Sequence, residues 1–236
     1  MMRTLVVFLF FLICSEFYSQ TTVDLDILIG KSQNNLVGDS IKLETSTHKA
    51  YKKMEAAAKR DGVFLKIVSA HRDYERQKLI WNKKYEKFTN EFSLEPKKAI
   101  SEIIRFSTIP GTSRHHWGTD IDIIDANFPN EENVLVSEKF EKNGLFFKVK
   151  SWLDKNSEYF GFYLAYTNDK KRKGFEFEPW HYSYKPVSAK YYRALIKTDL
   201  KKIIKSLNIN GSEYFDQSFI EAYIVENIMD INPDLK

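Results

Sequence analysis

Two short stretches concentrate the residue types able to bind a metal and move a proton. The first runs Pro110-Gly-Thr-Ser-Arg-His-His-Trp-Gly-Thr-Asp-Ile-Asp-Ile123, and the second is Glu178-Pro-Trp-His181. Together they offer two histidines and a carboxylate as donors, with a spare glutamate close to the second histidine. A catalytic zinc site uses that inventory: three protein ligands, a fourth position for water, and a base to take the water's proton. The only cysteine is Cys14, near the N-terminus, so any metal must sit on imidazole and carboxylate.

In the first stretch, His115 falls on a loop ahead of a strand, and Asp122 lies seven residues later on that strand. Gly118 between them permits a tight approach of the chain. Asp120 and Asp122 share one strand face because strand side chains alternate. Burying two carboxylates among isoleucines is costly unless they are paired or metal-bound. The same alternation also fits a solvent-facing edge with the aspartates outward. In the second stretch Pro179 cannot donate to a ladder, which predicts a bulge or bend turning Glu178 and His181 towards one cavity. Phe175, Phe177, Trp180 and Tyr182 would keep such a cavity dry and strengthen its electrostatics. An aromatic core strand holding a buried ion pair is the competing reading.

The elements that must position these groups follow from periodicity and punctuation. Residues 21–45 read as an irregular or partly extended lead-in. A helix is expected from Ser46 or Thr47 to Arg60, with Tyr51, Met54, Ala57 and Ala58 on one stripe. Val63 to Ser69 reads as a buried strand. A helix from Asp73, its N-cap, to about Phe88 follows, and Pro96 opens another through about Arg105. Thr119–Ile124 is a strand, 127–145 a loop, Phe146–Lys155 a helix and Gly161–Tyr166 a strand. Phe175–Tyr184 is expected as the last strand, broken by Pro186 before one helix from Ser188 to Leu207. A final amphipathic helix runs from about Tyr214 to Met229. The order suggests an α+β fold: a small, mainly antiparallel sheet flanked by helices, in a single domain with a C-terminal helical extension. No Gly-rich phosphate loop follows any strand, which weakens the case for a doubly wound parallel sheet.

At these residues the chain resembles the zinc D-alanyl-D-alanine carboxypeptidases of the VanY type, within the wider group that includes lysostaphin and the hedgehog domain. The family pattern Ser-x-His-x-x-Gly-x-x-x-Asp stands here as Ser113-Arg-His115-His-Trp-Gly118-Thr-Asp-Ile-Asp122, and Glu-x-x-His as Glu178-Pro-Trp-His181. Upstream, Ser69-Ala-His-Arg72-Asp-Tyr-Glu-Arg-Gln77 is similar to the family's Ser-Gly-Tyr-Arg-x-x-x-x-Gln. The likeness covers roughly residues 45 to 185. It implies that His115, Asp122 and His181 bind one Zn2+ and that Glu178 is the general base. It further implies that Arg72 holds the substrate and polarises the scissile carbonyl, while Gln77 and Ser113 help bind a terminal carboxylate. Ala70 and His71 depart from the pattern, as does Asp120, which could orient a ligand histidine from behind. His116 competes with His115 for the metal, but the seven-residue spacing and Gly118 favour His115.

The resemblance further implies peptidoglycan stem peptides as partners and removal of a C-terminal D-alanine as the reaction. Two alternatives remain: cutting cross-links as an endopeptidase with the same site, or a non-catalytic, zinc-containing wall-binding or signalling module. The presence of both Glu178 and Arg72 argues against the module. Composition agrees with a globular chain: 43% of its 236 residues are hydrophobic and 29% charged. A net charge of +4 is too mild to argue for nucleic acid. Arg3 followed by the apolar run Leu5–Cys14 reads as a signal peptide over residues 1–20, too short to span a bilayer. That placement implies a secreted, periplasmic or cell-envelope protein with no membrane span after signal removal. The expected organisation is thus a signal at 1–20, a lead-in at 21–45, a zinc peptidase core at 46–186 and packed C-terminal helices at 187–236.

Overall fold

A computed structural model describes residues 23–236; the expected signal peptide, Cys14 included, lies outside them. Part of the lead-in is ordered into secondary structure, as a helical turn α1 (Leu25–Leu28) and a two-stranded ribbon, β1 (Leu36–Val37) and β2 (Leu43–Glu44). Helix α2 (Thr45–Arg60) follows directly, its first turn held by the Glu44 carboxylate, which accepts from the amides of Ser46 and Thr47. The remaining elements are β3 (Leu65–Ser69), α3 (Tyr74–Glu86), α4 (Pro96–Ile103), β4 (Asp120–Asp125), α5 (Phe147–Asn156), β5 (Phe162–Leu164), β6 (His181–Tyr184), α6 (Lys185–Leu195), α7 (Leu200–Lys205) and α8 (Gln217–Tyr223).

The central sheet has the order β3-β4-β6-β5 and every neighbouring pair is antiparallel. The fold is therefore α+β, as the order of elements suggested. Period-2 alternation along β4 separates two environments. Ile121 and Ile123, with Tyr182 of β6, face a core built from Tyr51, Met54 and Ala58 of α2 and Val149, Trp152 and Leu153 of α5. Asp120 and Asp122 take the opposite face. The α3, α4 and C-terminal helices share a second core, in which Trp81, Ile100, Ile103, Tyr192, Leu195, Ile220 and Tyr223 meet.

Three expectations need correction. The strand expected over Phe175–Tyr184 begins only at His181. Pro179 offers no N–H, and the preceding amides bond elsewhere, Glu176 N to Arg105 O and Glu178 N to Tyr166 O. The helix expected over Ser188–Leu207 is two helices, because the Asp199 carboxylate caps a new start by accepting from Lys202 N. Pro186 stands in the first turn of α6, where its missing donor costs nothing. The last helix starts at Gln217 with Asp216 as its cap and ends in a wider π turn, Ile224–Ile228.

Candidate metal centre

Strand register brings the second stretch against the first. In the β4–β6 pair, Asp122 lies directly opposite His181 and Asp120 opposite Ser183. Directly opposed side chains on one face stand about 4.5–5.5 Å apart at Cβ, so the pairing alone delivers one carboxylate and one imidazole to a common point. His115 arrives from a 3-10 turn, Arg114–Trp117, that Gly118 closes in the left-handed conformation at φ 68°. A Cβ on Gly118 would stand 2.8 Å from Glu44 N and 2.5 Å from the Leu36 side chain. Glycine is required there by conformation and by contact.

Donor atoms of His115, Asp122 and His181 all lie within 4.8 Å of one another, and all three residues are buried. The two imidazole rings sit 4.6 Å apart. His115 Nδ1 is 2.8 Å from Ala70 O. A carbonyl only accepts, so Nδ1 carries the proton and Nε2 keeps its lone pair, 3.6 Å from Asp122 Oδ2. His181 Nε2 meets Asp120 Oδ1 at 3.0 Å, and Nδ1 meets Glu178 Oε2 at 2.8 Å. A turn closed by His181 N donating to Glu178 O puts the glutamate beside the histidine; this is the bend expected at Pro179.

The electrostatics fit a divalent cation. Asp122 Oδ1 is buried without any hydrogen-bond partner. Burial pushes the Asp122 carboxyl up to about 6, against the opposing pull of His181 and Arg72. Desolvation thus outweighs the cations already beside this carboxylate, and a metal ion in contact with it would offset that cost. Burial holds His115 well below its usual value, helped by the nearby Arg72 and His181 charges, so its imidazole is neutral and able to ligate. Burial alone would lower His181, but its hydrogen bonds to Asp120 and Glu178 raise it to about 10. Two imidazoles and a carboxylate form a donor set suited to zinc and its neighbours in the first transition row.

Asp120 is enclosed completely and accepts four hydrogen bonds. They come from Arg114 Nε at 2.9 Å, Thr119 Oγ1 at 2.7 Å, Ser183 Oγ at 3.0 Å and His181 Nε2. Burial raises its pKa, yet the Arg114 charge and the His181 hydrogen bond outweigh this and hold it below the ordinary carboxylate range. Arg114 also donates to Ser183 Oγ at 2.6 Å and lies 4.8 Å over the Trp117 ring. Arg114, Thr119 and Ser183 are absent from the sequence-based site. The signal for Arg114 was present, since a buried Asp120 demands a cation nearby.

His116 turns away from the donors. Its Nε2 accepts from Gly111 N at 3.0 Å, so Nδ1 carries the proton and donates to Arg72 O at 2.6 Å. It is a strut joining the Pro110-Gly111 loop to the backbone of Arg72. Arg72, Ser113, His115, Asp122, Glu178 and His181 all line one cavity of about 880 Å3. Arg72 Nη1 donates to Gln77 Oε1 at 3.1 Å, and its Nε is buried without a partner. Gln77 is fully enclosed and donates to Thr108 O at 2.9 Å, so both amide ends are taken. Gln77 therefore braces Arg72 from behind, away from the cavity.

A buried His–Asp–His cluster beside a glutamate, opening on a cavity with a braced arginine, is the arrangement of a metal-dependent hydrolase. The family model for VanY, D-alanyl-D-alanine carboxypeptidase, matches residues 40–187, and the chain belongs to that family. An uncharacterized protein of Haemophilus influenzae is 34% identical over 123 residues, covering 50% of this chain and 93% of that protein. A D-alanyl-D-alanine carboxypeptidase of Enterococcus faecalis is 31% identical over 134 residues, which are 56% of this chain and 44% of that protein. The chain thus matches less than half the length of the Enterococcus relative. Among solved structures, VanYB in complex with D-alanine-D-alanine is similar with a TM-score of 0.54 and 25% identity, over 73% of this chain and 89% of that one.

Proposed function

We propose that this protein is a zinc carboxypeptidase that removes a C-terminal D-alanine from peptidoglycan stem peptides. The observation that carries the reading is the convergence of His115, Asp122 and His181 within 4.8 Å at the wall of a cavity that Glu178 and Arg72 also line. Family membership and the similarity to a protein bound to D-alanine-D-alanine support the substrate class. His115 Nε2, Asp122 and His181 would hold the zinc, which when bound supplies a Lewis acid and acidifies water from 15.7 towards ~7.

Glu178 takes the proton of the attacking water and passes it to the leaving amine. Its Oε2 already lies 2.8 Å from His181, so it stands at the edge of the donor cluster. Negative charge that develops on the carbonyl oxygen is met by Arg72, which lines the cavity and whose Nε has no hydrogen-bond partner. Asp120 orients His181, and Gln77 orients Arg72. Action on the cell wall implies that the protein works outside the cytoplasm. No helix among the described residues is long and apolar enough to cross a membrane.

The test is incubation of the purified chain with defined stem tetra- and pentapeptides, with and without a chelator, followed by mass spectrometry. Loss of one alanine, abolished by the chelator and restored by zinc, is the expected result. Conversion of cross-linked dimers to monomers without alanine release would assign an endopeptidase instead.

A further inference from the structure

Helix α2 has one acid in sixteen residues, Glu55, and that acid is taken. It accepts from Lys52 Nζ at 2.7 Å and from the Tyr51 hydroxyl at 3.3 Å. Lys49, Lys53 and Arg60 are left exposed, and none of them pairs with a carboxylate among the described residues. At 3.6 residues per turn the three fall within about 40° of one another around the helix axis, in a row about 16 Å long. Lys49 and Lys53 stand four apart, a spacing at which like charges repel, and an anion set between them relieves that repulsion.

The row borders a groove of about 870 Å3 whose other side is built from Tyr159, Phe160 and Tyr184. Ala50 and Ala56 lie among the cations and are too small to fill it, and no acidic side chain lines it. Tyr159 is 88% exposed, yet its ring is supported. It stands edge-on to Phe160, with centroids 5.1 Å apart and planes at 87°. Phe160 stacks in turn on Trp152, whose Nε1 donates to Asp61 Oδ2 at 2.8 Å. A large ring held out into water on a fixed support is a surface for another ring to lie on. The groove shares no lining residue with the catalytic cavity. Helix α2 covers the Ile121 and Ile123 face of the sheet, whereas Asp122 and His181 point to the other face.

A row of unpaired cations facing aromatic rings suits a chain molecule that alternates anions with flat, C–H-rich rings. A glycan hung with peptides that end in carboxylates has that chemistry. We propose that this groove is a second binding site, which takes the carboxylate-bearing glycan of the cell wall. It tethers the protein to one strand while the catalytic cavity, on the far side of the sheet, trims stems of a neighbouring strand. The inference rests on the proposed carboxypeptidase reading, which supplies the identity of the polymer.

The test is co-sedimentation of the zinc-loaded Glu178→Gln chain, which leaves the polymer uncut, with insoluble peptidoglycan. Excess short stem peptide is present to occupy the catalytic cavity. Lys49→Gln/Lys53→Gln and Tyr159→Ala should each weaken binding about three- to tenfold. Added salt should weaken the parent more than the double lysine variant. With Glu178 restored, both variants should release alanine from a short soluble stem peptide within about twofold of the wild-type rate, and from whole peptidoglycan more slowly. Unchanged sedimentation in both variants overturns the proposal, as does an equal loss of activity on short peptide and polymer. Tighter binding of the parent to uncharged chitin oligomers or to single-stranded DNA than to soluble peptidoglycan fragments also overturns it. Weakened sedimentation of the variants, with a wild type that releases no alanine, would sink the proposed reaction and leave the groove standing. Alanine release with sedimentation unaltered in the variants would do the reverse.

Discussion

Replacing Asp120 by asparagine isolates what the enclosed carboxylate does, because the side chain keeps its shape and loses its charge. In the native chain Asp120 Oδ1 receives both Arg114 Nε and His181 Nε2, while Oδ2 receives the hydroxyls of Thr119 and Ser183. Asparagine can keep an oxygen towards Arg114 and His181 and turn its amide towards the two hydroxyls, which also accept. Packing survives, and the buried Arg114 guanidinium loses its counter-charge. Breaking a buried pair costs about 3–5 kcal/mol. The retained hydrogen bonds argue for the lower end, about 3 kcal/mol, against a total stability of about 5–15 kcal/mol. The chain should fold, with a lower urea midpoint when measured in excess chelator. Metal affinity should drop separately by about 10- to 100-fold, or ~1.4–2.8 kcal/mol, because the acceptor that fixes the His181 ring loses its negative charge. Competition against a chromophoric zinc chelator measures that loss. Adding Arg114→Met should recover part of the stability and none of the metal affinity. An Asn variant with native midpoint and zinc affinity within about twofold of wild type would refute the role given to Asp120.

Four further outcomes are expected. Glu178→Gln should keep one zinc per chain while alanine release falls about 10²–10⁴-fold, read by mass spectrometry of a digested stem peptide. Gln77→Ala should lower kcat/KM by about tenfold, less than Arg72→Ala, since it frees Arg72 without removing it. Gly118→Ala should lose at least about 1–2 kcal/mol in chemical denaturation, because φ 68° is costly for alanine and its Cβ would meet Glu44 N. Zinc affinity should fall as pH drops, because the proton on His181, raised to about 10, must leave when metal binds. Below about 6 a second proton competes at Asp122, so the fall should steepen from about tenfold to about a hundredfold per pH unit. A flat chelator-competition profile between pH 5 and 8 contradicts that coupling.

The positions that could be read ahead of the fold are those where local chemistry allows one answer. Alternation in Asp120-Ile-Asp-Ile placed two carboxylates on one face, and Pro179 announced the bend that sets Glu178 beside His181. Asp73 and Pro96 marked helix starts that α3 and α4 use. What could not be read depends on pairs far apart in the chain. The β4–β6 register sets Asp122 against His181 and Asp120 against Ser183, and nothing local specifies a register between strands nearly sixty residues apart. Gln77 was expected at the substrate because the family resemblance implied it. Only the path of the loop at Thr108, whose carbonyl accepts from the Gln77 amide, turns it into a brace. The break between α6 and α7 was legible in Thr198-Asp199, a capping signal that the expected single helix from Ser188 to Leu207 ran through. His116 shows the same limit: its chemistry equals that of His115, and only the positions of Gly111 and Arg72 separate strut from donor.

The measurement that bears most directly on the account is metal content and coordination of the purified chain, by elemental analysis and zinc-edge X-ray absorption. The expected result is one zinc per chain with two imidazoles and oxygen donors around it. In His115→Ala, one imidazole and most of the affinity should disappear. A chain that takes up no zinc, or holds it with a shell that His115→Ala and His181→Ala leave unchanged, contradicts a metal centre built from His115, Asp122 and His181.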